Sequence, residues 1–365
     1  MCHMNSILLR LLPWIALFLM ASAPAVAQHR RIDQLYHTAW TIKDGAPGQI
    51  SNIAQSTEGY LWLTAAAGLY RFDGVTFERI DIDPNDPDLP STVRSLFAPK
   101  DGGLWIGFAF GGVTFWKDGK GKNYSAADGV PEGAVLSIEA DADGTIWIAT
   151  SGGLARFDGT RWTIIGEDWN FSSGAARFIH LDREHRLWVA TTDSLFYLSP
   201  GERKFRATGL HVKWVGEMAQ DAAGRLWIAE SSGFVHPLDR TVDDAGAEHW
   251  SFGQPEVRTN SAGMLFDTEG ALWLNTLGDG MRRLSLADQR RTQPIAIDDD
   301  SVETFTHIHG LTANYVWPIL KDREGNLWVG TSAGLDRFRI SPFVKSHFPP
   351  GAHDFALVAD NSGAI

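Results

Sequence analysis

The sequence predicts an all-β fold: a seven-bladed β-propeller of four-stranded antiparallel blades, with an N-terminal strand closing the last blade. Three observations predict it. The first is a recurring segment, most complete as Asp141-Ala-Asp-Gly144-Thr-Ile-Trp147-Ile-Ala-Thr-Ser-Gly-Gly153-Leu-Ala-Arg-Phe-Asp158-Gly159, with copies centred on Trp62, Trp105, Trp188, Trp227, Trp273 and Trp328. The second is the spacing of these tryptophans, 43, 42, 41, 39, 46 and 55 residues, which matches a four-stranded propeller blade and exceeds helical and leucine-rich repeats. The third is composition. The chain holds 37 Gly and 15 Trp in 365 residues, as a turn-rich protein with one aromatic anchor per repeat requires.

In chain order, residues 1–27 read as a secretory signal: Arg10 in a weakly basic start, an apolar run from Leu11 to Met20, and Ala25-Val-Ala27 as a small-residue cleavage site. An uncleaved anchor is the alternative, although the run is short for a membrane span. The segment Tyr36 to Ile42 then reads as a last strand without a blade of its own, expected to join the blade built on Trp328 and so remove the open edges of a linear array. Each repeat parses into four strands: an apolar stretch such as Leu136 to Ala140, the Trp strand, the Leu-x-Arg-Phe strand, and an aromatic-bearing strand such as Arg161 to Ile165. Asp141 and Gly144 make the first turn, because Asp bonds backbone N–H groups just ahead of it and Gly takes positive φ without steric penalty. Asp158-Gly159 is a hairpin turn.

The Asp recurs as Asp182, Asp221, Asp267 and Asp322, but Ser56 and Pro99 stand there in the first two repeats, and His185 replaces Gly in the fourth. Stacking on neighbours is expected to carry these poorer turns, since one blade alone leaves both faces apolar. Asp239 to His249 and Ala287 to Glu303 read as exposed rim loops, the second with the acidic run Asp298 to Asp300. Phe355 to Ile365 matches the repeat up to the residue before an eighth Trp, so a longer protein with at least one more blade is expected. The expected organisation is a signal peptide over 1–27, a propeller over 28–340 and the start of a truncated repeat over 341–365.

A formal charge of −12 argues against nucleic-acid and anionic-membrane binders, which need a concentrated basic face. The one cysteine, Cys2, lies inside the signal segment, so a mature protein would contain no thiol and no disulfide. That suits a large-cored protein exported to a bacterial periplasm.

On these residues the sequence resembles the two-component regulator propeller family, whose repeat reads close to Asp-x-x-Gly-x-Leu-Trp-Ile-Gly-Thr-x-x-Gly-Leu. The resemblance covers about Tyr36 to Ile365. The opening HTAWTIKDGAPGQISNIAQSTEGYLWL is also similar to the start of the ring in exported bacterial sensors. The resemblance implies the periplasmic, ligand-sensing input of a membrane-bound signalling protein. It further implies a possible second propeller, an immunoglobulin-like spacer, a transmembrane helix and a histidine kinase or diguanylate cyclase output. The chain itself carries no kinase Gly-rich box and no phosphoacceptor helix, and it is expected not to be an enzyme.

Other chemistries find weaker support in the residues. Gly330-Thr-Ser332-Ala-Gly334 fits a nucleophile-elbow pattern, but in this repeat it is a turn between strands with no helix after it. His307 and His309 could share a strand face and a zinc ion if a third ligand converged. Asp298 to Asp300, and Asp141 with Asp143, lack the spacing of a calcium loop. The sialidase Asp-box sets its Asp two residues before Gly, against three here. A streptogramin-lyase-like or lactonase-like propeller is the enzymatic alternative and a protein-binding scaffold the third reading; no cofactor and no metal are expected.

A ligand is expected on the face that holds both the turns between second and third strands and the blade-to-blade connections. Residues that break the consensus there are Phe108, Phe110, Trp169, Asn170, Phe171, Lys213, Trp214, Glu230, Asn275, Asp279, Tyr315 and Trp317. Aromatics beside amides and acids suit a small molecule or oligosaccharide, because ring faces pack on C–H groups while hydroxyls take directional hydrogen bonds.

Overall fold

Every repeat folds into four antiparallel strands, and the bond pattern of its first turn explains the spacing of the anchor residues. In the computed structural model, the described residues are 31–82, 92–172, 174–259, 261–286 and 293–340. The signal segment and the eighth partial copy lie outside them. Blade 3 is representative: Val135–Ala140, Ile146–Thr150, Gly153–Phe157 and Trp162–Ile165 pair in that order from the inside outwards. Asp141 Oδ1 accepts the N–H groups of Asp143 and Thr145, each at 3.0 Å, while Oδ2 accepts the indole N–H of Trp147 at 2.8 Å. One oxygen holds the turn and the other holds the anchor. The same indole bond joins Trp188 to Asp182, Trp227 to Asp221, Trp273 to Asp267 and Trp328 to Asp322, at 2.7 to 3.1 Å. His185, where other repeats have Gly, sits in the left-handed region at φ 62°.

The ring closes. Tyr36–Thr41 pairs antiparallel with Gly334–Arg339, from Tyr36 opposite Arg339 to Thr41 opposite Gly334, as the outer strand of blade 7. Seven apolar clusters fill the molecule, and each lies between two consecutive blades. Trp147 packs with Ile179 and Val189 of blade 4, for example, and Trp328 of blade 7 with Ile53 and Leu63 of blade 1. A straight stack of seven blades would have six such interfaces. All seven anchor tryptophans are at most 5% exposed. Burying an aromatic of this size removes 150–250 Å² from water, and at ~25 cal/mol per Å² each anchor contributes roughly 4–6 kcal/mol before entropic costs.

One segment read as a rim loop folds otherwise, and the described part of the other, 293–303, holds a two-residue strand. Phe234–Val242 is a long third strand in blade 5, and beyond Pro237 it leaves the blade to pair with Glu248–Phe252. Asp239 to His249 therefore forms a hairpin rather than a loop. Its tip repeats the turn logic of the blades: Asp243 Oδ1 accepts the N–H groups of Ala245 and Ala247, Gly246 has φ 81°, and Oδ2 meets His249 Nε2 at 3.0 Å. An imidazole replaces the indole six residues after the Asp. The hairpin lies over blade 4, with Trp250 edge-on to Trp188 at 4.9 Å and Glu248 paired with Arg186 and Arg240. The outer strand of blade 5 is reduced to Val257–Arg258, which also pairs in parallel with Ile295–Ala296 from the second expected loop.

The connections between blades share a device. Three-residue 3₁₀ turns at Ile42–Asp44, Ala126–Asp128, Glu167–Trp169 and His307–His309 each end on a left-handed residue, Gly45, Gly129, Asn170 and Gly310. His307 and His309 thus occupy a tight turn rather than a strand face, and His309 Nδ1 caps the Thr306 N–H.

Candidate functional site

The innermost strand of a blade has its own second strand behind it and neighbouring blades on both faces. Solvent reaches it only from the central channel. In blades 2, 3, 5 and 7 a β-bulge interrupts this strand after Val93, Val135, Val215 and Val316, all buried. A bulge leaves one residue unpaired and re-aims its side chain. The residues so released are Arg94, Leu136 and Gly216 in blades 2, 3 and 5, and Trp317 with Pro318 in blade 7; Arg94, Gly216 and Trp317 are exposed and Leu136 is half-buried. Counted along the chain, Arg94, Leu136, Gly216 and Trp317 each stand eleven residues before their anchor Trp. Ser51 and Arg177 hold that position in blades 1 and 4. Two residues earlier stand the rim residues, among them Gln49, Trp214 and Tyr315.

This level is one mouth of the channel, on the face carrying the turns between second and third strands. One cavity opens at this mouth and two more lie on the same face, farther out along the blades. The first, of about 440 Å³, is lined by Gln49, Ile50, Ser51, Tyr315, Trp317 and Ser332. The rings of Tyr315 and Trp317 are 6.2 Å apart and inclined by 32°, and both are exposed. Another, of about 600 Å³, lies between blades 2 and 3, lined by Phe108, Phe110, the Gly111-Gly112 turn, Tyr124, Asp128 and Glu132 among others; Phe110 is 83% exposed. A third, of about 280 Å³, is bounded by Gly233, Arg258, Thr259, Thr276, Asp279 and Ile297.

Trp214 is half exposed and held at φ 47°, an outlier for so bulky a residue. The Arg177 guanidinium stacks on its ring, 3.8 Å from the centroid. Glu230 fixes the turn that presents it. The buried carboxylate accepts the Lys213 N–H at 3.2 Å and the Ser232 hydroxyl at 2.7 Å, and His236 Nε2 lies 3.9 Å away. Burial pushes the Glu230 pKa up, but His236, Ser232 and the Lys213 amide pull it down by more, leaving it below the ordinary value.

The expected ligand residues therefore divide. Phe110, Trp214, Tyr315 and Trp317 are exposed at the mouth or at the cavities on its face, and Asp279 and Lys213 are exposed on the same face. Phe171 and Asn275 are buried in blade packing, which takes them off the surface: Phe171 lies in the cluster between blades 3 and 4, and Asn275 donates to the Trp317 carbonyl and accepts from the Gly263 N–H. Phe108 is likewise buried, forming only the floor of its cavity. Trp169 packs edge-on to Trp147 at 5.9 Å, and Asn170 takes its place for its left-handed backbone. Glu230 positions Lys213 and Trp214 rather than presenting itself.

Reading the repeats one at a time missed Arg94 and Arg177, which emerge when they are aligned on the anchor Trp. It also missed Glu139, His180 and Glu217 on three successive inner strands. Burial raises Glu139 to about 7 against the pull of the Ala140 amide and Lys100; it raises Glu217 to about 8, with the like charge of Glu139 adding to the rise. Burial lowers His180 to about 4, opposed by Asp182. In the repeats of blades 1, 2, 5, 6 and 7 the position of Glu139 and His180 is Ala54, Phe97, Ala219, Leu265 and Leu320, so the departure from apolar character was the available signal. Among the described residues no three His, Cys, Asp or Glu side chains converge into a set able to hold a metal ion, and no helix is long and apolar enough to cross a membrane.

Comparison with known proteins agrees with this architecture. The two component regulator propeller pattern matches residues 129–152 and 310–333. Among solved structures, the chain is similar to the extracellular domains of two putative hybrid two component systems from B. thetaiotaomicron. They superpose with TM-scores of 0.63 and 0.64 at 18% and 17% identity, over 85% and 84% of this chain. The chain spans only 40% and 42% of their lengths. It is also similar to a streptogramin B lyase, with TM-score 0.62 and 15% identity over 86% of this chain and all of that one. At such identities these likenesses show the fold. No curated protein matches the sequence.

Proposed function

The chain carries the repeats of the two-component regulator propeller family, and from that premise we propose that it is the ligand-sensing propeller of an exported, membrane-anchored signal-transduction protein. In this reading the chain performs no catalysis, and a histidine kinase or related output lies elsewhere in the protein. The observation that carries the reading is the channel mouth. There the inner strands, otherwise packed with buried valines and isoleucines, release Arg94 and Trp317 through bulges, and Trp214 is held at a strained backbone angle. Strain and bulges at one rim are the marks of a built site. Tyr315 and Trp317 offer faces for a sugar ring, and a small molecule or oligosaccharide is the ligand class that fits.

Thermal-shift titration of the exported chain with neutral and acidic mono- and oligosaccharides tests it. A ligand bound only by the native form raises stability by about 2.7 kcal/mol at a hundred times its Kd. Trp317→Ala is expected to abolish the shift while leaving the unliganded melting temperature within a few degrees. A shift that survives in Trp317→Ala and Trp214→Ala alike would refute the mouth as the site. The streptogramin-lyase-like alternative predicts turnover that depends on a divalent ion.

A further inference from the structure

Two arginines stand at the same level of this mouth, Arg94 exposed and Arg177 half-buried. Arg94 and Arg177 stand at equivalent levels of blades 2 and 4, each eleven residues before its anchor Trp. Several arginines of this acidic chain are answered by a carboxylate, among them Arg71 by Glu78, Arg186 by Glu248, Arg225 by Asp221 and Arg283 by Asp267. Among the described residues neither Arg94 nor Arg177 has an acidic partner. The charged group that acts on Arg177 is Arg94. Burial first, and then that like charge, push the Arg177 guanidinium below its ordinary pKa. The two like charges repel, and an anion bound at that level would relieve the repulsion.

The geometry of Arg177 is that of a prepared donor. Its guanidinium carbon lies over the Trp214 ring, 3.8 Å from the centroid, and an arginine held over an aromatic face keeps N–H donors that can take the paired oxygens of a carboxylate or phosphate. Trp214 in turn is locked: its N–H donates to the Thr192 carbonyl at 3.1 Å, its carbonyl accepts from the Ser231 N–H at 3.1 Å, and Glu230 holds the preceding Lys213 amide. A non-glycine residue at φ 47° persists only where its surroundings overdetermine it, and such strain collects at ligand sites. Its effect here is to stand an indole under an arginine.

We infer that Arg94, Arg177 and Trp214 form an oxyanion-binding site at the channel mouth, taking a ligand that carries a carboxylate or phosphate group. This rests on the sensing function proposed above and gives its ligand a charge: the arginines take the oxyanion, and the aromatic rim formed by Tyr315 and Trp317 is available for a ring.

The test is ¹⁹F NMR of the chain labelled with 5-fluorotryptophan, with the Trp214 resonance assigned by its loss in Trp214→Phe. Glucuronate, inorganic phosphate and glucose are the probes. Glucuronate or phosphate is expected to move the Trp214 signal saturably, with an apparent Kd at least tenfold weaker in Arg177→Gln and in Arg94→Gln. Because the Arg94 side chain makes no hydrogen bond or ion pair among the described residues, Arg94→Gln should fold as the parent does, which keeps the comparison valid if Arg177→Gln does not. A response to glucuronate alone assigns the oxyanion to a sugar carboxylate, and one to phosphate alone assigns it to phosphate; either supports the site. Equal affinity for glucose, or unchanged anion affinity in Arg94→Gln, would overturn the oxyanion site while leaving a sensing propeller intact. Silence from all three probes at Trp214, with a thermal shift from some other ligand, overturns it as well; no response from any ligand in either assay removes both proposals.

Discussion

Asp182→Ala tests the reason five of the seven blades keep an Asp six residues before the tryptophan. The carboxylate accepts the Trp188 indole N–H at 2.8 Å and the Arg186 backbone N–H at 2.8 Å. Trp188 is 1% exposed, so its N–H finds no water once the acceptor is gone. Leaving a buried donor unsatisfied costs about 1–3 kcal/mol, and losing the turn bond costs about 1 kcal/mol more. Asp182→Ala is therefore expected to destabilise the protein by roughly 3 kcal/mol, read as a shift of the urea midpoint at constant slope. In a Trp188→Phe background no indole N–H remains, and the same Asp change should remove only the turn bond. The coupling in this double-mutant cycle is expected to be about 2 kcal/mol. A coupling near zero would mean that the Asp serves its turn alone, and the account of the repeat's spacing would fail.

Three further outcomes are expected. His185→Gly should raise stability by up to ~1 kcal/mol, because His185 holds φ 62° where other blades have Gly; no gain in the urea midpoint would place the turn's strain elsewhere. Arg283→Met should lose about 3–5 kcal/mol in the same assay, since Arg283 is 1% exposed and pairs with both Asp267 and Glu269 at 3.0 Å, so its removal leaves carboxylates without a counter-charge. Stability should fall as pH rises through the channel glutamates. Their folded pKa values, about 7 for Glu139 and about 8 for Glu217, are raised above the unfolded 4.5, so the stabilisation is whole below pH 4.5 and is lost as pH climbs through 7 and 8. His180 is depressed to about 4, so its contribution is present above pH 6.5 and lost only as pH falls through 4. Between pH 6.5 and 8 the glutamates act alone, at up to ~1.4 kcal/mol per pH unit each. The urea midpoint of Glu139→Gln/Glu217→Gln should be flatter than that of the parent across this window, and parallel profiles would contradict the burial of these groups.

Blade number, strand order and closure were legible in the sequence because they follow from local, repeated chemistry. An Asp and a Gly at fixed distances from a Trp make a turn wherever they occur, and seven such units with an orphan strand have one way to bury their faces without leaving an edge. The hairpin over blade 4 escaped notice because its turn, Asp243 to His249, uses an imidazole where the blades use an indole. The candidate site was half legible. Tyr315, Trp317 and Trp214 stood out as aromatics in unusual places, whereas Phe171 and Asn275 stood out equally and are buried, since a departure from consensus does not reveal which way a side chain points. Arg94 and Arg177 lie 83 residues apart in the chain. Each alone is an ordinary strand arginine; only the ring, by setting the inner strands of blades 2 and 4 around one channel, puts them at the same level of it.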